Sequence, residues 1–445
     1  MPGYTEELTN EDDVPVVTDL LGTDDLLVMR PGVDPVSSRN PDGYGLIRAP
    51  YSIVQATAGV AGASWYTLTQ LLESVIPPAV DVLVTSGFYE PGDGGDALLR
   101  RVGADPGHTG AWADASGQYF ELVPWSGRVN VLQFGAKVLT ATVTAGSGFD
   151  STAFVHAAWD YAKARDLVTL FPPGAIRVTS GYSNSTAYHD IKIDGVGFSS
   201  RRFSAGQLWK TSTIVLDNTD PASFILYLSG NNEFHTRGLV YSAAQIVKDR
   251  KLIRLAQNNG RRQTIRDVGF KGANKSIVFE EGSYFQFSVM ENIHFIDSGT
   301  IYTEPGATGD SRLLGTGLTL NNISHDGTVP DATDKVVMDL SGIRNVQGEH
   351  LLLEGLLPGT GWTVYRHASP YDDFWIRSPI ASYSGVWFEF SGTQPAVMLD
   401  LDSGRYDFRA PVFVGLGAGG NGKVKLGTNT IAHFFQLAIA DTTDT

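Results

Sequence analysis

A short alternating motif recurs four times in the middle of the chain. Each copy contains an apolar residue, a polar residue, Asn or Asp, and an aliphatic residue, at 265–268, 290–293, 320–323 and 343–346. The closing aliphatic residues follow one another at steps of 25, 30 and 23 residues. Strand-forming segments repeated at such spacings indicate a solenoid, because its loops accept insertions between stacked turns. The pattern therefore predicts an all-β fold, a right-handed parallel β-helix.

The third position of the motif predicts a column of polar side chains. Asp267, Asn292, Asn322 and Asn345 hold that position. Because neighbouring strands lie about 4.8 Å apart, equivalent residues of successive turns lie one above another. We therefore expect these four side chains to form a ladder of stacked amide and carboxylate groups.

Strand-like segments also recur on both sides of the four motifs. They return from residue 190 to residue 400, and about 23 residues per turn would give roughly nine turns there. Residues 129–180 contain a strand, a helix that opens at Asp150 or Ser151, and a second strand. The apolar stripe predicted for this helix is Phe154, Ala157, Ala158, Tyr161 and Ala162. Such a helix would cover the open end of the stack.

The two ends of the chain follow different patterns. Residues 14–30 hold two apolar runs around a Gly-Thr-Asp-Asp turn, which predicts a hairpin. A helix capped by Ser64 is expected over 64–76, followed by a small β unit over 80–125. Beyond residue 405, a short β element is expected to cap the stack and to join neighbouring subunits.

Composition narrows the classes of function. The 445 residues contain no cysteine, which excludes disulfides, thiolate catalysis and zinc–thiolate sites. The net charge of −15 argues against binding to nucleic acid. The acidic N-terminus lacks a secretory signal, and no apolar run reaches membrane-spanning length, so we expect no membrane insertion.

Three local motifs resemble a known family when they are taken together. They are 134–137 (Phe-Gly-Ala-Lys), the helix opening at 150–153 (Asp-Ser-Thr-Ala) and 171–174 (Phe-Pro-Pro-Gly). In this order they resemble the start of the pectate-lyase-like β-helix of bacteriophage tailspike and tail fibre proteins. The family usually places Asp-Gly and a second Asp after Gly-Ala-Lys, whereas residues 138–149 replace that stretch here.

The resemblance implies an organisation and a set of partners. It implies a virion-attachment segment (1–60), a neck or adaptor (61–125), a parallel β-helix (126–405) and a C-terminal trimerisation element (406–445). Such a spike is a homotrimer of the virion tail that docks on a tail or baseplate protein. It is made in the host cytoplasm and acts on host cell-surface polysaccharide. No cofactor is implied.

Cleavage of a polysaccharide by hydrolysis needs two carboxyl groups across a glycosidic bond. Three residues past the aliphatic end of the last two motifs lie Asp326 and Glu349, and Asp297 follows the second motif. We expect these three acids, as catalytic candidates, to share one edge on consecutive turns. Asp372 follows Glu349 by the same step of 23. The alternative is that all of them are solvated turn residues.

Two other clusters are candidate substrate-binding residues. Aromatic faces beside carboxylates suit sugar recognition, and one cluster comprises Trp362, Tyr371, Asp372, Asp373 and Trp375. Its alternative is a set of core aromatics. The second cluster, Glu280 and Glu281, is alternatively a solvated turn.

Other chemistries have little support in the sequence. The histidines lack metal-ligand spacing, so no metal site is expected, and no serine lies in a Gly-x-Ser-x-Gly elbow. Two rivals to a hydrolytic spike stay open. One is a non-catalytic receptor-binding or structural spike of the same fold, and the other is a polysaccharide lyase.

Overall fold

Most strands of this protein pair in parallel with the strand one turn earlier and the strand one turn later. A computed structural model describes residues 25–28, 47–50, 67–139, 143–186, 190–196, 211–229, 233–256, 262–280, 285–304, 315–368, 380–392, 397–414 and 423–440. The chain divides into two compact units, one formed mainly by residues 1–92, 96–106 and 111–123, the other mainly by 124–445. The second unit is an all-β parallel solenoid of right-handed type, and about seven of its turns lie between residues 190 and 400.

Three parallel faces, named here in the order the chain meets them, form the solenoid. Long strands turn a corner and contribute to two faces, and Gln263–Phe279 turns two corners and contributes to all three. The first face contains Arg128–Asn130, Val168–Phe171, Ile191–Gly195, Phe234–Arg237, the starts of Gln263–Phe279, Phe285–Ile296, Gly315–Asp326, Val346–Leu357 and Ile380–Gly392, then Arg405–Arg409 and Ile431–Phe435.

The second and third faces follow the same stacking. The second face contains Gly174–Val178, Ser212–Leu216, the start of Val240–Leu255, the later parts of the long strands, Val412–Val414 and Ala438–Ala440. The third face contains Tyr182–Asn184, Leu226–Leu228, the ends of Val240–Leu255 and Gln263–Phe279, Ile301–Thr303, Val336–Asp339, Thr363–Ala368, Val397–Asp402 and Lys423–Leu426.

A polar ladder marks the corner between the first and second faces. Asn292 donates from Nδ2 to Asp267 Oδ1 (2.9 Å), and Asn322 donates from Nδ2 to Asn292 Oδ1 (2.9 Å). All three residues have φ of 53–54°, the left-handed conformation that Asn and Asp tolerate better than most residues. The predicted ladder is therefore confirmed for its first three members.

The fourth predicted member, Asn345, is not part of this ladder. Val346 pairs with Leu318, which places Asn345 beside Gly317 at the corner before the first face. The residue that follows Asn322 in the ladder column is His350, with φ of 53°. The fourth motif resembles the others in composition but lies five residues early in the register, so its assignment was wrong.

The turns are longer than the sequence predicts. Ile265, Met290, Leu320, Gly348 and Tyr383 occupy equivalent positions on successive turns, at steps of 25, 30, 28 and 35 residues. The predicted number of roughly nine turns between residues 190 and 400 was therefore too high, because loops between the faces lengthen each turn.

A helix over Thr152–Ala164 packs on the first turns of the solenoid, as predicted for a cap. Its buried face contains Val155, Ala158, Trp159, Tyr161 and Ala162. Val155 and Trp159 thus replace Phe154 and Ala157 of the predicted stripe. A short 3₁₀ helix, Val131–Phe134, precedes it and ends at Gly135 with φ of 102°.

The N-terminal unit contains an antiparallel sheet in the order Val82–Val84, Leu98–Val102, Tyr119–Leu122 and Ala111–Ala113. Its helix, Leu68–Glu73, is shorter than predicted and is capped by Thr67. Asp25–Val28 pairs antiparallel with Ile47–Pro50, whereas the other predicted hairpin arm, 14–18, and the predicted cap Ser64 lie outside the described residues.

The predicted domain boundaries stay predictions. Strands after residue 402 continue the parallel pairing, since Arg405–Arg409 stacks on the strand Ile380–Gly392 and is followed by Ile431–Phe435. The last turn leaves large apolar side chains in solvent, with Phe435 51% and Ile439 61% exposed.

Candidate active site

One outward-facing column on the second face carries acids on three successive turns. Parallel pairing aligns Lys271 with Ile296, Ile296 with Asp326, and Glu354 with Glu389. His325 pairs with Leu353, so Asp326 and Glu354 occupy the next equivalent position. Asp326, Glu354 and Glu389 are named the carboxylate column below. Successive members are separated by one strand spacing, about 4.8 Å.

The predicted pairing of Asp326 with Glu349 was wrong. Glu349 pairs with Asn321 and Ser384 on the first face, on the other side of the ladder corner. Each acid of the carboxylate column does lie three residues after the aliphatic residue of its turn. The prediction counted from Val346, however, whereas the aliphatic residue that pairs with Ile323 is Leu351. Counting three residues from Leu351 gives Glu354.

The three acids of the carboxylate column form no salt bridge within the described ranges. Lys271, two turns before Asp326 at the equivalent position, lies near Asp297 instead, at 3.9 Å. A column on the third face is different, because Asp339, Arg366, Asp400 and Lys425 alternate in sign and pair at 3.0–3.8 Å. Like charges on adjacent strands are destabilising, so an unpaired row of acids points to chemistry more than to stability.

Glu354 lies between the other two members of the column, and its pKa is raised. Partial burial raises the pKa of the Glu354 carboxyl, and the neighbouring carboxylates of Asp326 and Glu389 raise it further. A carboxyl group whose pKa is raised keeps its proton at higher pH and can serve as a general acid.

An aromatic side chain lies beside the column. Trp387 is on the same strand as Glu389, is 39% exposed, and donates from Nε1 to Glu389 Oε2 (3.0 Å). Its neighbours in the adjacent outward column are Leu352, Ser324 and His294. Burial lowers the pKa of His294, against the opposing effect of Asp326. An exposed indole next to carboxylates provides a face for sugar C–H groups and acceptors for hydroxyls.

Asp297 lies at the end of the strand beside the column. Its main-chain N–H donates to Asp326 O (3.1 Å), and its Oδ1 accepts from Thr328 N (3.0 Å). With φ of 47°, it closes the turn after the second face. A catalytic part for Asp297 stays a prediction.

The predicted substrate-binding residues do not assemble around the column. Trp362 has no exposed surface and belongs to the core, so its assignment as a sugar platform was wrong. Glu280 is half-buried and bonded to Arg254 (2.5 and 3.1 Å) and Lys251 (3.3 Å). Tyr371, Asp372, Asp373, Trp375 and Glu281 lie outside the described residues.

Sequence reasoning missed Glu354, Glu389 and Trp387. A signal was present, because Leu351-Leu352-Leu353-Glu354 and Val386-Trp387-Phe388-Glu389 share with Ile323-Ser324-His325-Asp326 an aliphatic first residue and an acidic fourth residue. Both segments follow the ladder position, held by His350 and Gly385. Because the ladder position does not hold Asn on these turns, the Asn-containing motif at 343–346 indicated the wrong segment.

Two other features are absent from the described part of the chain. It contains no group of three or more His, Asp or Glu side chains placed to hold a metal ion. None of its helices has the length and apolar character needed to cross a membrane.

Comparison with known proteins gives no match to any family model and none to a curated protein. Solved structures do match. The tailspike protein of Acinetobacter baumannii phage AM24 has 12% identity and a TM-score of 0.46, with 89% of this chain and 67% of that chain covered. Tailspike protein 2 of bacteriophage CBA120 has 12% identity and a TM-score of 0.48, covering 87% and 59%.

A third similar structure is Pantoea stewartii WceF, described as a glycan biofilm modifying enzyme with a tailspike-like parallel β-helix. It has 12% identity and a TM-score of 0.48, and this chain covers about half of its length (48%), with 83% of this chain aligned. The structures similar to this chain thus include phage tailspike proteins with a parallel β-helix fold.

Proposed function

We propose that this protein is a phage tailspike that binds a polysaccharide and cleaves it by glycoside hydrolysis at the carboxylate column. The observation that carries the proposal is the row of three acids on successive turns without a paired cation, with an exposed tryptophan beside it. Glycosidases use two carboxyl groups that differ in protonation, and the perturbed Glu354 supplies the first of them.

In this proposal Glu354 is the general acid and Asp326 is its partner. Glu354 gives its proton to the glycosidic oxygen as the bond to the anomeric carbon breaks. Asp326, one turn away, attacks that carbon, and water then hydrolyses the glycosyl ester with Glu354 acting as base. A separation of about 4.8 Å between adjacent strands is close to the roughly 5–5.5 Å of retaining enzymes. Glu389 and Trp387 would contact the neighbouring sugar.

The test is incubation of the protein with purified host-surface polysaccharides, followed by measurement of new reducing ends and of product anomer by NMR. Hydrolysis with retention supports the assignment of Asp326 as nucleophile. Binding of the polysaccharide without the appearance of new reducing ends would favour the non-catalytic spike. New absorbance from an unsaturated uronide would favour a lyase.

We also propose that the spike is a homotrimer, attached to a phage tail or baseplate protein through its N-terminal region and active at the host cell surface. The exposed apolar side chains of the last turn support the assembly, because such surface is normally covered by a partner. Sedimentation equilibrium would give three times the 47.9 kDa chain mass. A monomer at micromolar concentration would contradict the proposed trimer but would not bear on the proposed active site.

A further inference from the structure

His325 is a polar side chain in an otherwise apolar interior column. Parallel pairing places it after Phe295 and before Leu353 and Phe388, on the inward side of the second face. It has no exposed surface. Burying an imidazole is costly unless its nitrogens are hydrogen-bonded, so the position calls for a reason beyond packing.

The ring contacts the main chain on both sides of its own turn. Nδ1 lies 2.6 Å from the carbonyl oxygen of Glu354, one turn later, and Nε2 lies 2.8 Å from the carbonyl oxygen of Ser298, at the end of the preceding turn. The ring of His325 thus lies between carbonyl oxygens of the turns before and after its own, directly beneath the carboxylate column. One of its two partners is the main chain of the proposed general acid.

We propose that His325 is a positioning residue that fixes the Glu354 main chain through an Nδ1–H···O bond. The inference rests on the proposed function for its effect on catalysis. The side chain of Glu354 projects outward from the peptide that His325 holds. A shift of that peptide moves the carboxyl group relative to Asp326 and to the bound sugar.

The position of the ring proton follows from the partners. Burial lowers the pKa of His325, although the two carbonyl contacts and the carboxylates of Asp326 and Asp297 act in the opposite direction. A neutral imidazole has one N–H, and both partners are carbonyl oxygens that only accept. The shorter contact, at Nδ1, is assigned the proton.

A second buried histidine serves as a matched control. His367 also lacks exposed surface, and its Nε2 lies 2.9 Å from the carbonyl oxygen of Ile343. Its Nδ1 faces the Tyr365 hydroxyl at 3.1 Å, a group that can donate. Burial lowers the pKa of His367 to about 4. A neutral ring therefore satisfies both of its partners, and neither partner belongs to the carboxylate column.

Two conservative substitutions separate the two contacts of His325. The Asn side-chain amide nitrogen reaches the place of Nδ1, and the Gln amide nitrogen reaches the place of Nε2. We expect His325→Asn to retain most of the kcat. We expect His325→Gln to lower kcat about 100-fold with little change in KM, as misplacement of a catalytic group does. His367→Gln is expected to lower the melting temperature without lowering kcat.

The proposal would be overturned if His325→Asn and His325→Gln had equal kcat values, or if His367→Gln lowered kcat as much as His325→Gln does. A readout independent of activity is the ¹⁵N NMR spectrum of the wild-type histidine rings near pH 7.5. A protonated Nδ1 at His325 is expected, and a proton on Nε2 alone would refute the assignment. If the wild type cleaves no polysaccharide, the proposed function fails while this spectrum still decides the proton position.

Discussion

Substitution of Asn292 tests the ladder that fixes the register of the turns. Asn292 lies in the middle of the ladder, bonded to Asp267 on one side and to Asn322 on the other (2.9 Å each). Asn292→Ala removes both bonds, each contributing about 0.5–1 kcal/mol at an exposed position. It also places a Cβ-bearing residue without a local polar group at φ of 54°, which costs about 1–2 kcal/mol. The expected loss of unfolding free energy is about 2–4 kcal/mol.

The assay is urea unfolding followed by circular dichroism at fixed protein concentration. Two controls divide the loss into its parts. Asn292→Gly removes the bonds and accepts the left-handed backbone, so we expect an intermediate loss. Asn345→Ala changes a residue with φ of 49° that lies outside the ladder, so only the backbone cost of about 1–2 kcal/mol is expected. Equal losses for Asn292→Ala and Asn345→Ala would refute the ladder contribution.

Three further predictions concern pH and ligand binding. Because a general acid must be protonated, activity should fall as pH rises through the raised pKa of Glu354. Glu389→Gln removes a neighbouring negative charge, so the alkaline limb of the pH–rate profile should move to lower pH. An unmoved limb would contradict the electrostatic coupling between Glu354 and Glu389. Trp387→Ala should weaken glycan binding about tenfold, the equivalent of about 1.4 kcal/mol, with Trp387→Phe closer to wild type by calorimetry. In the N-terminal unit, burial opposes the charge of Asp114, yet hydrogen bonds from a hydroxyl and three main-chain N–H groups lower its pKa to about 2. The stability it contributes should therefore be complete above its ordinary pKa of 3.8 and be lost as pH falls toward 2, and Asp114→Asn should flatten acid unfolding in that window.

The class of fold could be predicted from the chain because a solenoid repeats its local pattern. Asp267, Asn292 and Asn322 each precede an inward aliphatic residue, and the left-handed corner favours Asn and Asp. The same corner is filled by His350 and Gly385 on later turns. Since several residue types satisfy one backbone conformation, a search for Asn alone fails where the corner changes residue.

One position of the carboxylate column could be predicted for the same reason. The motif that ends at Ile323 is in register, which places Asp326 on the second face, whereas the motif that ends at Val346 is not, so Glu349 was misplaced. A catalytic role for Asp326 stays a prediction. A shift along a strand changes which face a side chain occupies, so an error of five residues moved the predicted partner round the corner to the first face. Trp362 illustrates a different limit, because an aromatic residue after a turn has the same local signature whether it is exposed or buried.

The most direct test of the carboxylate column compares Glu354→Gln with Glu349→Gln in the reducing-end assay. The two substitutions are chemically identical, lie five residues apart, and fall on different faces of the solenoid. Glu354→Gln is expected to lower polysaccharide cleavage at least 100-fold, as loss of a general acid does, whereas Glu349→Gln should retain wild-type cleavage. Full cleavage by Glu354→Gln, or its loss in Glu349→Gln alone, would contradict the account.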